Sequence, residues 1–316
     1  MLRLVRQLAI AGAMFGCFCV LESRAGAQES LPDIRSVVAD LEVPPMLEGS
    51  PTPGKRVLVT ISEGLYYCLY LPSNFDASKR HPMIVEFAGN GGYRSKYGDV
   101  SEGVPEGSNL GFGISGGKDF VWLCLPFVTE KDRVVAKQWW GSSPDFSPVP
   151  TVELTKHVVA SVIEDYGVDK DAIVLAGFSR GAIACNFIGL HDEEIADIWC
   201  GMVPYSHYDG VRDWGLRGTD REAAKVRLQR LREMPQFICH EGTERSAEKS
   251  KDAFRGLAAT RKYLESTGVA VNVQMRATGF RNHNDAWVLR PSETRRALRL
   301  WLSQIESVQA ALERLE

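Results

Sequence analysis

Apolar positions along the chain follow two rhythms, and their alternation predicts an architecture before any motif is considered. Residues 57–61 and 65–71 are short β-rich runs separated by Ser62, Glu63 and Gly64, which predicts a hairpin. Runs over 83–88 and 120–128 are short and mostly apolar, of the kind a buried parallel strand shows. The rhythm then changes: Val152, Val158, Val159, Val162, Ile163 and Tyr166 recur at helical spacing, Gly167 closes the segment, and 172–176 is again strand-like. Helix over 183–190, strand over 198–203, strand over 237–239, helix over 253–264 and strand over 269–275 continue the alternation, and Ser292 is placed to cap a helix from Glu293. Strands separated by helices predict an α/β domain, a mostly parallel sheet of about eight strands with helices on both faces.

The two ends read differently. Arg3 and Arg6 precede an apolar run over 8–21, and Ala25, Gly26 and Ala27 follow as a small-residue cleavage site. Residues 1–27 are therefore read as an export signal cut before Gln28, and the protein as secreted or periplasmic. The apolar run falls short of the roughly 20 residues that cross a bilayer, so no membrane span is expected. Residues 28–56 hold Pro32, Pro44, Pro45, Pro51 and Pro53 around a helix-like apolar patch over 34–41 and read as a strap or linker. The folded domain is placed at 57–305 and a helical tail at 306–316. Leu298, Trp301, Ile305, Val308, Leu312 and Leu315 repeat at spacings of three and four; packing on the chain's own sheet is expected ahead of a dimer, with the tail beyond Ile305 projecting. The oligomeric state is left open.

Of 316 residues, 44% are hydrophobic and 24% charged, which excludes disordered, collagenous and coiled-coil classes. Lys and Arg number 37 against 40 Asp and Glu, with no long block of like charge, so nothing suggests a nucleic-acid or polyanion partner and a small, local substrate is expected. Past residue 27 the cysteines are Cys68, Cys124, Cys185, Cys200 and Cys239; scattered spacing and apolar surroundings predict buried thiols over a disulfide framework.

Gly177-Phe178-Ser179-Arg180-Gly181 forms G-x-S-x-G between a strand-like run and a helical pattern. A serine in a sharp strand-to-helix turn needs small neighbours so that the turn can close, and the helix that follows aims its N-terminus at the site. A second copy, at 113–117 around Ser115, follows a loop-like stretch and precedes a strand, so it lacks that context. Gly111, Gly113 and Gly116 have G-x-G-x-x-G spacing, but with no strand leading in and no helix following they do not make a dinucleotide site.

The segment from Tyr166 through Gly167, Val168, Asp169, Lys170, Asp171 and Ile173 to the Ser179 elbow resembles the α/β-hydrolase superfamily, and within it the secreted esterases of the polyhydroxybutyrate-depolymerase and feruloyl-esterase type. The resemblance extends over residues 65–302 and implies an α/β-hydrolase fold with Ser179 as the nucleophile of a Ser-His-acid triad. It implies an oxyanion hole from the backbone N–H of Arg180 and, after the strand at 83–88, that of Asn90, with Gly91 next in line. Family members often have His-Gly in that loop, where this chain has Ala88-Gly89. The order Ser, acid, His leaves His207, His240 and His283, of which His283, on the loop after the last strand, looks like the family's histidine. Related hydrolases carry an acid four residues past the position of His240, here Glu244 in place of the more usual Asp; Glu241, Asp252 and Asp209 are its rivals.

The implied reaction is hydrolysis of a small or polysaccharide-linked carboxylic ester through an acyl-enzyme, with no cofactor and no metal; no H-E-x-x-H or Cys-x-x-Cys spacing occurs. Trp139 and Trp140 are read as substrate-binding, since a flat indole stacks on a sugar or aromatic ester, with packing against residues 144–150 as the alternative. Residues 205–208 are placed on the leaving-group side, and the basic stretch 212–232 as a helical insert over the site. A serine peptidase of the same fold and a catalytically inactive binding protein are the competing readings.

Overall fold

The computed structural model describes residues 31–96, 98–242 and 256–316, so the expected export signal at 1–27 lies outside the described residues. The short apolar runs become strands β1 (Met46–Leu47), β2 (Arg56–Ser62), β3 (Leu65–Tyr70), β4 (His81–Phe87), β5 (Tyr93–Arg94), β6 (Val100–Ser101), β7 (Val121–Leu125), β8 (Val168–Phe178), β9 (Gly201–Tyr205), β10 (Gln236–His240) and β11 (Val273–Ala277). Nine of them form one sheet in the order β1-β2-β3-β7-β4-β8-β9-β10-β11, and β5 pairs with β6 in a separate ribbon. The sheet has nine strands instead of the expected eight because Met46 and Leu47, within the segment read as a strap, pair in parallel with β2. Only β3 runs against the others, through the predicted hairpin. Every residue of β4 and β7 is buried; β7 is accordingly apolar throughout, and β4 is apolar except for the buried His81 and Glu86.

Helices cover both faces: α1 (Leu110–Ser115), α2 (Val149–Tyr166), α3 (Arg180–Phe187), α4 (Glu193–Ala196), α5 (Arg221–Leu228), α6 (Leu257–Thr267), α7 (Glu293–Ser303) and α8 (Glu306–Glu313). Apolar residues of α2, α3, α5 and α6 fill one core, and those of α1, α7 and α8 the other. Gly167, in the left-handed region, ends α2, and the Ser292 hydroxyl caps α7 by accepting from the Arg295 N–H. Val308 and Ala311 are fully buried beside Leu298 and Trp301, so α8 lies on the sheet and does not project.

Two strand boundaries move. Pairing of β9 with β8 starts at Gly201↔Val174, past Ile198, and pairing of β11 with β10 starts at Val273↔Gln236, leaving Val269 and Val271 packed on the core outside the strand. The patch at 34–41 holds one turn of 3-10 helix, Ile34–Ser36, capped by the Asp33 carboxylate; Ile34 is buried in the core, Val37 and Leu41 pack against it, and Val38 is 86% exposed. This strap clasps the far end of the chain. The Ile34 N–H donates to Asn282 Oδ1 at 2.7 Å, Arg281 pairs with Asp33, Arg290 Nε donates to the Ile34 carbonyl at 2.6 Å, and Arg295 Nη1 donates to Asp40 at 2.6 Å.

Cys68, Cys124, Cys185 and Cys239 are buried free thiols, and Cys200 is half-buried. On the α1 face, the buried Glu86 carboxylate accepts from the Leu110 and Gly111 N–H groups at 3.0 and 2.8 Å and from the Trp122 indole at 2.8 Å, which fixes the start of α1. Asp285 accepts from the Asn109 amide at 2.8 Å close by. Burial, and then the Glu86 charge, push the Asp285 pKa up from the ordinary carboxyl range.

Candidate active site

Parallel pairing brings Phe87, Phe178, Tyr205 and His240 to one edge of the sheet, so the loops after β4, β8, β9, β10 and β11 emerge side by side. Ser179 follows β8 directly and opens α3. Its backbone is held at φ 54° and ψ −110°, outside the usual regions, with its N–H donated to the Tyr205 carbonyl at 2.9 Å. The flanking glycines are required by space. A Cβ on Gly177 would lie 2.1 Å from the Gly181 carbonyl oxygen, and one on Gly181 would lie 1.9 Å from that of Phe87. Ser115, in the second copy of the motif, ends α1 and spends its hydroxyl on the Phe112 carbonyl and the Gly117 N–H.

His283 reaches this serine from the loop after β11. Ser179 Oγ and His283 Nε2 are 3.1 Å apart, and on the other side of the ring Nδ1 is 3.2 Å from Glu241 Oε1 and 2.8 Å from Ser206 Oγ. The loop is braced by the His283 N–H, which donates to Asp99 at 2.8 Å, by the Tyr205 hydroxyl on the Asn282 carbonyl at 3.1 Å, and by the strap. Glu244 and Asp252 lie outside the described residues. Among the described residues the carboxylate at the ring is Glu241, the first residue past β10, and the rival Asp209 is buried in an ion pair with Arg227 at 2.9 Å. Burial alone would raise the Glu241 pKa, but His240, whose Nδ1 is 3.5 Å away, and the bond from His283 outweigh it and hold the carboxyl well below its usual range.

No family model matches the sequence, and no curated protein does. Solved structures do match in shape. A protein described as a dipeptidyl aminopeptidase IV from Bacteroides ovatus aligns with 79% of this chain at a TM-score of 0.50 and 13% identity. The α/β-hydrolase architecture is shared. A thermostable esterase aligns with 79% of the chain at a TM-score of 0.40 and 13% identity, and a ferulic acid esterase from Anaeromyces mucronatus with 82% of the chain and 91% of its own length at 0.47 and 14%. The chain spans 35% of the length of the peptidase and 59% of that of the thermostable esterase.

In this α/β-hydrolase fold the site opens into a cleft of about 700 Å³. Asn90 and Arg180 both line it, and neither backbone N–H has a hydrogen-bond partner among the described residues. Gly91, the reserve donor, is already committed to the Lys137 carbonyl at 2.7 Å. The Asn90 side chain accepts from the Trp139 N–H at 2.8 Å. The buried Arg180 guanidinium donates to the carbonyls of Ala136 at 3.1 Å, Gly103 at 3.2 Å and Trp139, and stacks 3.9 Å above the Phe127 ring. One arginine thus ties the loops flanking the serine together without a carboxylate partner among the described residues.

The paired tryptophans separate. Trp139 lines the cleft and packs 5.4 Å from Trp214, whereas Trp140 is fully buried against Phe187 at 4.3 Å and does not face the cleft. Adjacent residues in an irregular loop point to opposite sides, so a substrate-binding role for Trp140 is corrected to packing. Ser206 was expected only on the leaving-group side and Trp214 only within the 212–232 insert; the structure puts Ser206 against the His283 ring and Trp214 against Trp139. Ser206 sits at φ 87°, which a non-glycine residue seldom adopts, and no local motif announces it. Among the described residues no group of three or more His, Cys, Asp and Glu side chains is arranged for a metal ion, and no helix is long and apolar enough to cross a membrane.

Proposed function

We propose that this protein is a serine hydrolase of carboxylic esters, with Ser179 as nucleophile, His283 as general base and Glu241 as the carboxylate that orients it. The observation that carries this reading is the unbroken line Ser179 Oγ, His283 Nε2, His283 Nδ1, Glu241 Oε1, with links of 3.1 and 3.2 Å, at a strained elbow whose glycines cannot be replaced without collision. The Ser179 O–H donates to Nε2 and loses its proton there as Oγ attacks the ester carbonyl. The Asn90 and Arg180 N–H groups receive the oxyanion, each contributing about 3 kcal/mol. His283 returns the proton to the departing alcohol, and a water deprotonated by the same ring releases the acid. The run of arginines, apolar residues and small residues at 1–27 supports export, and the indoles of Trp139 and Trp214 support a sugar- or aryl-linked ester.

Ser179→Ala is expected to abolish hydrolysis of p-nitrophenyl acetate with a thermal transition close to wild type, while Ser115→Ala keeps its activity. Inactivity of Ser115→Ala with an active Ser179→Ala overturns the assignment. A wild type that cleaves peptide p-nitroanilides in preference to esters redirects it to a peptidase.

A further inference from the structure

The cleft contains an imidazole that the proposed reaction does not use. His207, two residues past β9, lines the cleft alongside Ser179. Its Nδ1 is 2.8 Å from the Ser206 carbonyl oxygen. A carbonyl only accepts, so the ring proton sits on Nδ1 and Nε2 is left with a bare lone pair. Nε2 has no hydrogen-bond partner among the described residues. Burial, reinforced by the neighbouring His283, drives the ring's pKa down to about 3, so the lone pair stays free at neutral pH. The ring is also held in place, 5.6 Å from Trp214 and 5.4 Å from His283, and Trp214 continues to Trp139. A wall of two indoles therefore ends in a fixed acceptor next to the reacting serine.

We infer that His207 is a specificity-determining residue that selects esters bearing a hydroxyl beside the ester linkage, the hydroxyl donating to Nε2 while the group that carries it lies along Trp214. The inference rests on the esterase reading of the same site. A substrate with no donor there strips water from Nε2 and leaves it unpaired, whereas a hydroxylated one replaces that water bond. A neutral ring with its only proton committed cannot donate, so an ether or carboxylate at that position gains nothing. The hydroxyl can belong to the alcohol, as in a sugar ester, or to the acyl chain, as in a hydroxyacid ester.

Two substrate pairs separate these sources: trans-2-hydroxycyclohexyl acetate against cyclohexyl acetate, and p-nitrophenyl 3-hydroxybutyrate against p-nitrophenyl butyrate. The wild type is expected to favour the hydroxylated member of one pair by about tenfold in kcat/KM, the worth of one well-made hydrogen bond. His207→Phe and His207→Leu, which lack an acceptor, should bring that ratio close to one whatever their absolute rates. His207→Gln, whose side-chain carbonyl accepts near the same place, should keep most of it. A wild type that hydrolyses both members of each pair equally well, or a preference that survives in His207→Phe and His207→Leu, overturns the inference. A wild type that hydrolyses none of the four overturns the esterase reading itself, and this inference with it.

Discussion

Replacing Glu241 by Gln removes a charge and little else, because the two side chains have the same length and nearly the same shape. In the proposed mechanism the ring of His283 becomes an imidazolium during attack by Ser179, and the carboxylate lies 3.2 Å from it in a largely buried setting. At an effective dielectric constant of about 20 that attraction is about 5 kcal/mol. The amide oxygen of Gln still accepts from Nδ1 and recovers about 1 kcal/mol, leaving about 4 kcal/mol, or about three orders of magnitude in kcat. Ser206 Oγ, 2.8 Å from the same nitrogen, continues to hold the proton on Nδ1, so the fall should stay short of the roughly 10⁴-fold loss seen when the tautomer is wrong as well. The assay is steady-state hydrolysis of p-nitrophenyl acetate with the active sites titrated, alongside a circular-dichroism melt to show that the variant is folded. Glu244→Gln, measured in parallel, is expected to turn over close to wild type. A folded Glu241→Gln enzyme within about tenfold of wild type, or a Glu244→Gln enzyme that collapses in its place, would refute the assignment.

Other consequences are equally direct. The His207 pKa is depressed to about 3 in the folded chain, so the unfolded chain takes up a proton first as pH falls below about 6.5, and stability drops across that interval; His207→Gln should lose less melting temperature than wild type between pH 6.5 and 4, and identical losses would contradict the burial argument. The Asp285 carboxyl is raised by burial and by Glu86, so the unfolded chain ionises first as pH rises above the ordinary carboxyl range, and stability falls toward alkaline pH. Asp285→Asn should flatten that fall between pH 5 and 8 in thermal scans, and an unchanged slope would exclude Asp285 as its source. Gly181→Ala drives a Cβ to 1.9 Å from the Phe87 carbonyl oxygen and should lower stability by about 3 kcal/mol or more in denaturant titrations, an outcome that a near-neutral variant would contradict.

The elbow was legible because its chemistry demands a local pattern: two glycines bracket Ser179, with a buried strand before them and a helix after. His283 was legible for a related reason, since it follows the last strand and few histidines compete. The acid carries no such pattern. Glu241 and Glu244 are three residues apart in one loop, and only the end of β10 and the reach of the side chain decide which carboxylate meets the ring. Trp139 and Trp140 show the same limit, because in irregular backbone neither period, two or 3.6, says which side a residue faces. The contact of Ser206 with His283, as opposed to a leaving-group position, was not legible for a third reason: it depends on backbone held at positive φ by tertiary contacts, including the Ser206 N–H on the Cys239 carbonyl at 2.8 Å. The boundaries of β9 and β11 shifted because hydrophobicity reports burial, and Val269 and Val271 pack on the core without joining the ladder.

The clasp between Asp33–Ile34 and Arg281–Asn282 joins stretches of chain that are synthesised almost at opposite times, 248 positions apart. The imidazole of His283, 3.1 Å from Ser179, sits on the loop that this clasp holds, so on the proposed mechanism more than about 280 residues must be made before the serine acquires its base. A nascent or truncated chain can complete the elbow and still be chemically silent. Reactivity toward a fluorophosphonate probe should therefore appear abruptly with chain length, at the point where β11 and the loop after it become free to meet Asp33 and Ile34.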